Sequence, residues 1–485
     1  MDSLFKRYLD FKLKDIKWGE IKVNFKNSYE KIFKAKEGNL SSNILIKNNS
    51  FFKDLLLKGE LGFAESYINN KWETSNLTNL LKILLKNQQI KKKNWADNYF
   101  TTFIEKIKFI LKSNSINQAR KNIHYHYDLG NKFYSFWLDT SMTYSSGIFL
   151  NNTNDLPTSQ NNKYDIIIKN LLKILLKNQQ IKKKNWADNY FSSFVEKIKF
   201  ILKSNSINQA RKNIHYHYDL GNKFYSFWLD TSMTYSSGIF LNNNNDLLTS
   251  QNNKYDNIIK NLDIKSSDIV LEVGSGWGGF IKRNNKMTKS QIEGLTISEQ
   301  QFSYVNDLIN NNNLKTNSKI IFKDYRKLDS INYYDKIVSI EMFEAVGKKY
   351  WDIYFKTLNQ VLKKNGKACF QIITINDDEY SNYINQVDFI QKYIFPGGIL
   401  PSKKILYKLF KENNFELYEE TSFGKDYAKT LRIWKENFNN SWNDISKIGF
   451  DEKFKNLWNY YLSYCETGFD TEHTDVSQFY LKKII

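Results

Sequence analysis

Between Asp268 and Phe280 the chain reads DIVLEVGSGWGGF, an apolar run that ends in glycines at 274, 276, 278 and 279, with the carboxyl of Glu272 just before them. Glycines at that spacing let a backbone turn tightly and approach a ligand with no Cβ in the way. Nicotinamide, flavin and S-adenosylmethionine sites all use such turns, so the glycines alone mark a cofactor loop without naming the cofactor. A second concentration of reactive side chains occurs twice. NIHYHYDLGNKFYSFWLDTSMTYSSGIF fills Asn122–Phe149 and returns letter for letter at Asn213–Phe240. Two His at i, i+2 with no further Cys or His nearby are a poor ligand set, and His473 stands alone, so no metal is expected.

The glycine loop needs a strand before it and helices around it. Asp268–Val273 suits a buried parallel strand, and a helix near Asn252–Leu262 precedes it. Downstream, QIEGLTI, a helix from about Ser298, KIIFKDY, YDKIVSIEMF, a helix from about Lys348 and GKACFQIITI alternate. That alternation predicts an α/β fold with a doubly wound sheet and ligand across the carboxyl ends of its strands. With Glu272 in place the loop has the form E-x-G-x-G-x-G, typical of class I methyltransferases more than of nicotinamide enzymes.

The doubled stretch belongs to a longer repeat. Asn79–Lys169 aligns on Asn170–Lys260 at an offset of 91 with six mismatches: Thr101/Ser192, Thr102/Ser193, Ile104/Val195, Thr153/Asn244, Pro157/Leu248 and Ile166/Asn257. Solenoids stack several diverged units of 20–50 residues, so two long and nearly identical units read as a tandem duplication. Within each unit Tyr99, Phe100, Phe103, Ile104, Ile107, Ile110 and Leu111 (first-copy numbers) recur at helical spacing with Lys106, Lys108 and Lys112 between them. Such a helix either faces a core with a solvated edge or lies on a membrane.

Composition bounds the partners. The 485 residues are enough for two or three domains with full cores, and aromatics reach 16%. The first twenty residues are broken by charges and do not read as a signal peptide, and no window offers the run of apolar residues a membrane span needs. Cys369 and Cys465 do not make a disulfide framework, so a reducing cytoplasm is expected. Each repeat carries a net +7, so removing one from the formal +20 still leaves +13. That balance favours an anionic partner, and charge by itself fits an anionic membrane surface or nucleic acid equally.

A family resemblance separates these. HYDLGNKFYSFWLDTSMTYSSGIF, LEVGSGWGGF, GLTISEQQ, DYR, SIEMFEAVGKKYW, DFIQKYIFPGGILPS, FGKDYAKTLRIW and YYLSYCETGF follow one another in order. Together they resemble the cyclopropane-fatty-acyl-phospholipid synthases, including the mycolic acid cyclopropane synthases. The resemblance runs from about Asn170 to the C-terminus and, through GELGFAESYINNKWETSNLTNLL, upstream to about Gly59. It implies a Rossmann-like class I methyltransferase sheet with a small N-terminal domain and helical additions. The implied organisation is an α+β domain over 1–78, a first repeat at 79–169 and a second at 170–260 acting as the lid. A cofactor-binding core over 261–376 and a substrate-binding part over 377–485 complete it.

The implied reaction moves the methyl of S-adenosylmethionine onto a cis double bond of an unsaturated phospholipid acyl chain. By resemblance, Tyr235, Ser236, Gly274, Ser275 and Gly276 contact the cofactor, as do Thr296, Ile297, Ser298, Glu299, Gln300 and Gln301, with Tyr325 and Arg326 near the adenine. Glu344 and Tyr427 match residues that hold a bicarbonate ion, the family's proposed proton acceptor. Cys465 matches a cysteine often assigned as catalytic, although the chemistry needs no enzyme nucleophile and a structural thiol fits as well. His217, Tyr218 and Asp219 would position the loop over the cofactor, with Tyr144 and Ser145 a spare copy of Tyr235 and Ser236.

The implied partners are lipid at the inner face of the membrane, approached from the cytoplasm, and no nucleic acid; a homodimer is left open. Two departures bear on the product. Ser275 stands where many synthases carry Cys, and Gln371 (Ile373 in a shifted alignment) stands where many carry a bicarbonate-binding His. A methyl-branched or methylene product, a different methyl acceptor, or a membrane-binding homologue disabled by its duplication are the alternatives.

Overall fold

The computed structural model describes residues 9, 13–25, 29–93, 220–242 and 246–484, all within one compact unit. The expected helix at 99–112, the His217–Asp219 loop and the Tyr144/Ser145 pair lie outside these residues.

Strict alternation makes the first strand. In β1 (Trp18–Phe25), Ile21, Val23 and Phe25 face inward while Glu20, Lys22 and Asn24 face out, the period of a half-buried strand. With β2 (Tyr29–Lys34), β3 (Glu37–Ile46) and β4 (Trp72–Glu73) it forms a sheet ordered β2-β1-β3-β4. Helices α1 (Ser50–Lys58), α2 (Glu60–Ile68) and α3 (Leu77–Lys93) follow. Leu77, Leu80, Leu81 and Ile83 on α3 join the buried residues of this sheet in one core.

The second sheet contains β5 (Ile269–Val273), β6 (Gln291–Thr296), β7 (Ser318–Phe322), β8 (Tyr334–Ile340), β9 (Leu362–Ile375), β10 (Phe415–Ser422) and β11 (Thr474–Lys483). Its order is β10-β11-β9-β8-β5-β6-β7. The pairs from β7 to β9 are parallel, and β11 runs antiparallel to β9 and β10. This is the expected α/β class with a mainly parallel sheet.

Its central strands, β5 and the neighbouring parts of β8 and β9, are largely buried on both faces, as parallel strands under crossover helices must be. Successive residues therefore enter opposite cores. Val270, Val338 and Cys369 pack with Ile258, Leu262, Phe280 and Ile281, whereas Leu271, Ile337 and Phe370 pack with Tyr354, Phe355 and Leu358. The covering helices are α4 (Leu247–Leu262), α5 (Gly279–Thr288), α6 (Glu299–Asn311), α7 (Trp351–Val361) and α8 (Lys403–Glu412). Two longer helices, α9 (Gly424–Asn440) and α10 (Glu452–Asp470), lie between β10 and β11 in the chain.

Two boundaries differ from the sequence expectation. Helix α4 starts at Leu247, five residues early, because the Asp246 carboxylate caps it by accepting from the Thr249 N–H at 2.6 Å. The segment at Lys348 opens as a 3-10 turn, and the α-helix begins at Trp351.

The described residues draw on both repeats. The head of the first (Asn79–Lys93) forms most of α3, and the tail of the second (Leu220–Lys260) supplies the segment leading into β5. At repeat positions these pieces do not overlap: the first covers positions 1–15 of the 91 and the second falls within positions 51–91.

Candidate active site

Loops at the carboxyl ends of β5 and β8 meet. Gly274 leaves β5 at φ 84°, and a Cβ there would fall 2.7 Å from Met342 Cγ in the loop after β8. The Gly274 and Ser275 N–H groups both donate to Leu295 O, at 3.1 and 3.0 Å, which fixes the start of the turn. Gly276 sits at φ 52° with nothing within 4 Å of where a Cβ would point. There the backbone borders open space, as a cradle for a ligand requires.

The second-repeat segment closes on this loop. Trp277 Nε1 donates to Asn222 Oδ1 at 2.8 Å, and its ring lies 4.9 Å from that of Tyr225. Tyr235 and Tyr461 share a hydroxyl–hydroxyl bond of 2.8 Å, and the Tyr235 ring lies within 5.5 Å of Tyr225, Trp228 and Trp434. Ser236 Oγ accepts from Lys254 Nζ at 2.5 Å, and the ammonium also donates to Gln251 Oε1 at 2.6 Å. Lys254 is fully buried. Burial pushes its pKa down to about 7, against the pull of Glu341, Asp230 and Glu272.

The other expected cofactor residues divide by environment. Thr296, Ser298 and Gln301 are buried in the turn that starts α6: Ser298 Oγ caps Gln301 N at 3.3 Å, and Thr296 Oγ1 donates to Gln301 Oε1 at 3.0 Å. Ile297 is half-buried, whereas Glu299 and Gln300 are exposed. Tyr325 is buried with no partner for its hydroxyl. The Arg326 guanidinium is committed to Asp324 by bonds of 2.8 and 2.7 Å and lies over the Tyr350 ring.

Glu272 is buried, and its pKa is pushed up to about 8 by desolvation, offset in part by the Ser275 hydroxyl and Lys254. Its Oε2 meets no hydrogen-bond partner. A cationic ligand group would relieve it. With the open face of Gly276 and the Tyr325 hydroxyl, these residues fit S-adenosylmethionine.

A carboxylate that sequence reasoning missed lies at the centre. Glu341, the first residue after β8, adopts φ 50°, a left-handed conformation normally left to glycine and costly by about 1 kcal/mol. Its Oε1 accepts from Ser237 N at 3.0 Å and Gln371 Nε2 at 2.7 Å, and its Oε2 from the Tyr427 hydroxyl at 2.7 Å. Tyr427 and Glu344 were expected to hold one bicarbonate ion; the Tyr427 hydroxyl instead donates to Glu341.

Glu344 Oε1 accepts from Ile373 N at 2.5 Å, while its Oε2 has no partner. Desolvation first and the charge of Glu341 second push its pKa up to about 8, so at neutral pH it holds its proton. Three residues apart at a strand end, two carboxyls in SIEMFE were the available signal. Lys254, in QNNKYDN, reads like any surface lysine.

Cys465 is half-buried, and desolvation followed by the neighbouring Asp388 charge holds its thiol far above the ordinary range. It is a thiol and not a nucleophilic thiolate, which favours the structural role.

A polar chain behind Glu341 includes a residue at which the repeats differ. Gln478 Nε2 donates to Gln371 Oε1 at 3.0 Å, and Asn257 Nδ2 donates to Gln478 Oε1 at 2.8 Å and to the Tyr480 hydroxyl at 3.1 Å. The first repeat carries Ile166 at the position of Asn257. Asn257→Ile is expected to cost about 1–2 kcal/mol by removing both bonds, read as a lower urea midpoint with an unchanged slope. An unchanged midpoint would show that the polar chain does not select the repeat.

A family model described as mycolic acid cyclopropane synthetase matches residues 114–176 and again 205–479. The two matches begin one repeat length apart. Tuberculostearic acid methyltransferase UfaA1 of Mycobacterium tuberculosis is 34% identical over 284 residues, 57% of this chain and 66% of that protein. The cyclopropane-fatty-acyl-phospholipid synthase of Escherichia coli K12 is 34% identical over 253 residues, 52% of this chain and 63% of that one. The matched part therefore spans slightly less than two-thirds of each of these relatives. Among solved structures, mycolic acid cyclopropane synthase CmaA1 complexed with SAH and CTAB superposes with a TM-score of 0.53 at 27% identity, over 56% of this chain and 98% of that one.

Proposed function

We propose a function from one premise: the chain belongs to the mycolic acid cyclopropane synthetase family. It is an S-adenosylmethionine-dependent methyltransferase acting on a cis double bond of an unsaturated phospholipid acyl chain, with closure of a cyclopropane ring. The observation that carries this reading is the meeting of three parts at one sheet edge: the glycine loop, an aromatic wall and a buried carboxyl pair. An alkene is a weak nucleophile, so alignment in a dry site must supply much of the rate. When bound, S-adenosylmethionine supplies an electrophilic methyl group.

The residues divide the remaining work. Tyr235, Trp228 and Trp434 present ring faces and edges that favour positive charge and exclude water. Glu341 is the acceptor-bearing end of the site, and neutral Glu344 lies three residues beyond it. A methyl-branched or methylene product is the second reading. It is supported by Gln371, which bonds Glu341, and by the 34% identity to tuberculostearic acid methyltransferase UfaA1.

Among the described residues no helix is long and apolar enough to cross a membrane. The +20 charge supports approach to an anionic bilayer surface from the cytoplasmic side. Label from methyl-labelled S-adenosylmethionine should enter the acyl chains of unsaturated phospholipid vesicles, and gas chromatography of the derived esters should assign the product. Good cofactor binding with no label in lipid would refute the reading.

The repeat yields a further expectation. Deleting Asn79–Lys169 keeps Thr78, supplies the α3 sequence again from Asn170–Lys184 and retains Asn257. The shortened protein should bind S-adenosylhomocysteine within about twofold of the full chain. Deleting 170–260 instead leaves Ile166 in place and should melt at a lower temperature. Loss of binding in a folded Asn79–Lys169 deletion would show that both repeats are required.

A further inference from the structure

Bicarbonate, expected by resemblance at Glu344 and Tyr427, needs donors, and the structure commits them elsewhere. The Tyr427 hydroxyl, the Gln371 amide and the Ser237 N–H all donate to Glu341. A free anion beside them would also face the charge of Glu341. These residues do not fit a bicarbonate ion.

Resting on the methyl-transfer reading above, we propose that Glu341 is itself the proton acceptor, a carboxylate built into the chain that makes the reaction independent of bicarbonate. Four observations converge on it. First, its side chain is held at a strand's carboxyl end by three donors from three separate segments: the lid at Ser237, strand β9 at Gln371 and helix α9 at Tyr427. Second, Oε2 takes only one of these bonds and keeps a lone pair for a proton. Third, the residue occupies the left-handed region at φ 50° beside the glycine loop, a local strain of the kind that collects at functional sites.

Fourth, its surroundings fix the charges. Lys254 is the cation coupled to it, and burial raises the affinity of Glu341 for a proton while Lys254 and the three donors oppose that rise. Glu344, held neutral, leaves one anion in the pair.

The step balances without a co-reactant. After methyl transfer the acyl chain carries a positive carbon. One C–H bond of the added methyl breaks, its proton passes to a Glu341 oxygen, and its electron pair closes the ring. If a hydride has first moved from the methylated carbon to its neighbour, the same electron pair forms a methylene double bond instead. Glu341 ends neutral and returns the proton to water.

The test uses the full chain, labelled S-adenosylmethionine and unsaturated phospholipid vesicles in buffer stripped of carbon dioxide. Wild-type turnover should change less than about twofold when millimolar bicarbonate is restored. Glu341→Gln should lose about 100-fold or more in product while S-adenosylhomocysteine binding holds. Glu341→Gly, which relieves the backbone strain, should regain turnover with added bicarbonate. It should also broaden the carbon-13 resonance of labelled bicarbonate, which wild type leaves sharp.

Wild-type turnover that collapses on stripping and returns with bicarbonate would overturn the proposal, as would a fully active Glu341→Gln. Wild type that binds the cofactor but labels no lipid would instead fail the methyl-transfer reading, and the proposal with it.

Discussion

Gly276→Val should weaken cofactor binding about 100-fold while the protein stays folded. The residue sits at φ 52°, where a side chain costs about 1–2 kcal/mol and a β-branched one more. That penalty lowers the melting temperature by several degrees in a chain of this size and does not unfold it. Nothing lies within 4 Å of the position its Cβ would take, so the new methyl groups meet no protein and project where the ligand would lie. Affinity for S-adenosylhomocysteine, measured by calorimetry, should fall about 100-fold, or ~2.7 kcal/mol.

Gly274→Ala separates the two effects. Its Cβ would collide with Met342 at 2.7 Å, so stability should drop more than affinity does. A Gly276→Val protein that binds at parental strength would place the cofactor away from this loop.

That contrast also shows how far the sequence could be read. The loop was legible because its form is local: an apolar strand, a carboxylate and glycines at fixed spacing suffice. The sheet class was legible because continuous apolar strands alternate with helical segments. What escaped depends on contacts between residues far apart in the chain. Tyr427 was expected to hold bicarbonate together with Glu344, and its hydroxyl instead bonds Glu341.

Neither residue's own neighbourhood reveals that pairing, because Glu341 lies after β8 and Tyr427 on α9. Lys254 escaped for the same reason. A lysine on an amphipathic helix reads as solvated, and only the packing of α4 against the sheet buries it. Of the six differences between the repeats, Ile166/Asn257 gains meaning once Gln478 and Tyr480 are placed beside it.

Glu466→Leu should destabilise the protein by about 3–5 kcal/mol, the cost of stranding buried charges. Glu466 is 2% exposed on α10. Its Oε1 accepts from Arg432 Nε at 3.0 Å, and its Oε2 from Lys435 Nζ at 2.8 Å and the Thr78 hydroxyl at 2.9 Å. Lys82 approaches to 3.8 Å and also pairs with Asp470 at 2.6 Å. One carboxylate thus gathers α3, α9 and α10, and the first of these carries the N-terminal sheet.

Leucine matches the volume but leaves Lys435, only 21% exposed, beside a hydrocarbon. Arg432, 46% exposed, can turn to water at little cost. Glu466→Leu combined with Lys435→Met should therefore recover a large part of the loss in urea titrations, whereas Glu466→Leu combined with Arg432→Met should recover little. Equal recovery by both partners would mean that the burden is general electrostatics rather than the buried ammonium. In the Asn79–Lys169 deletion Lys173 takes the sequence position of Lys82, so Glu466→Leu should cost the shortened protein as much as the full chain.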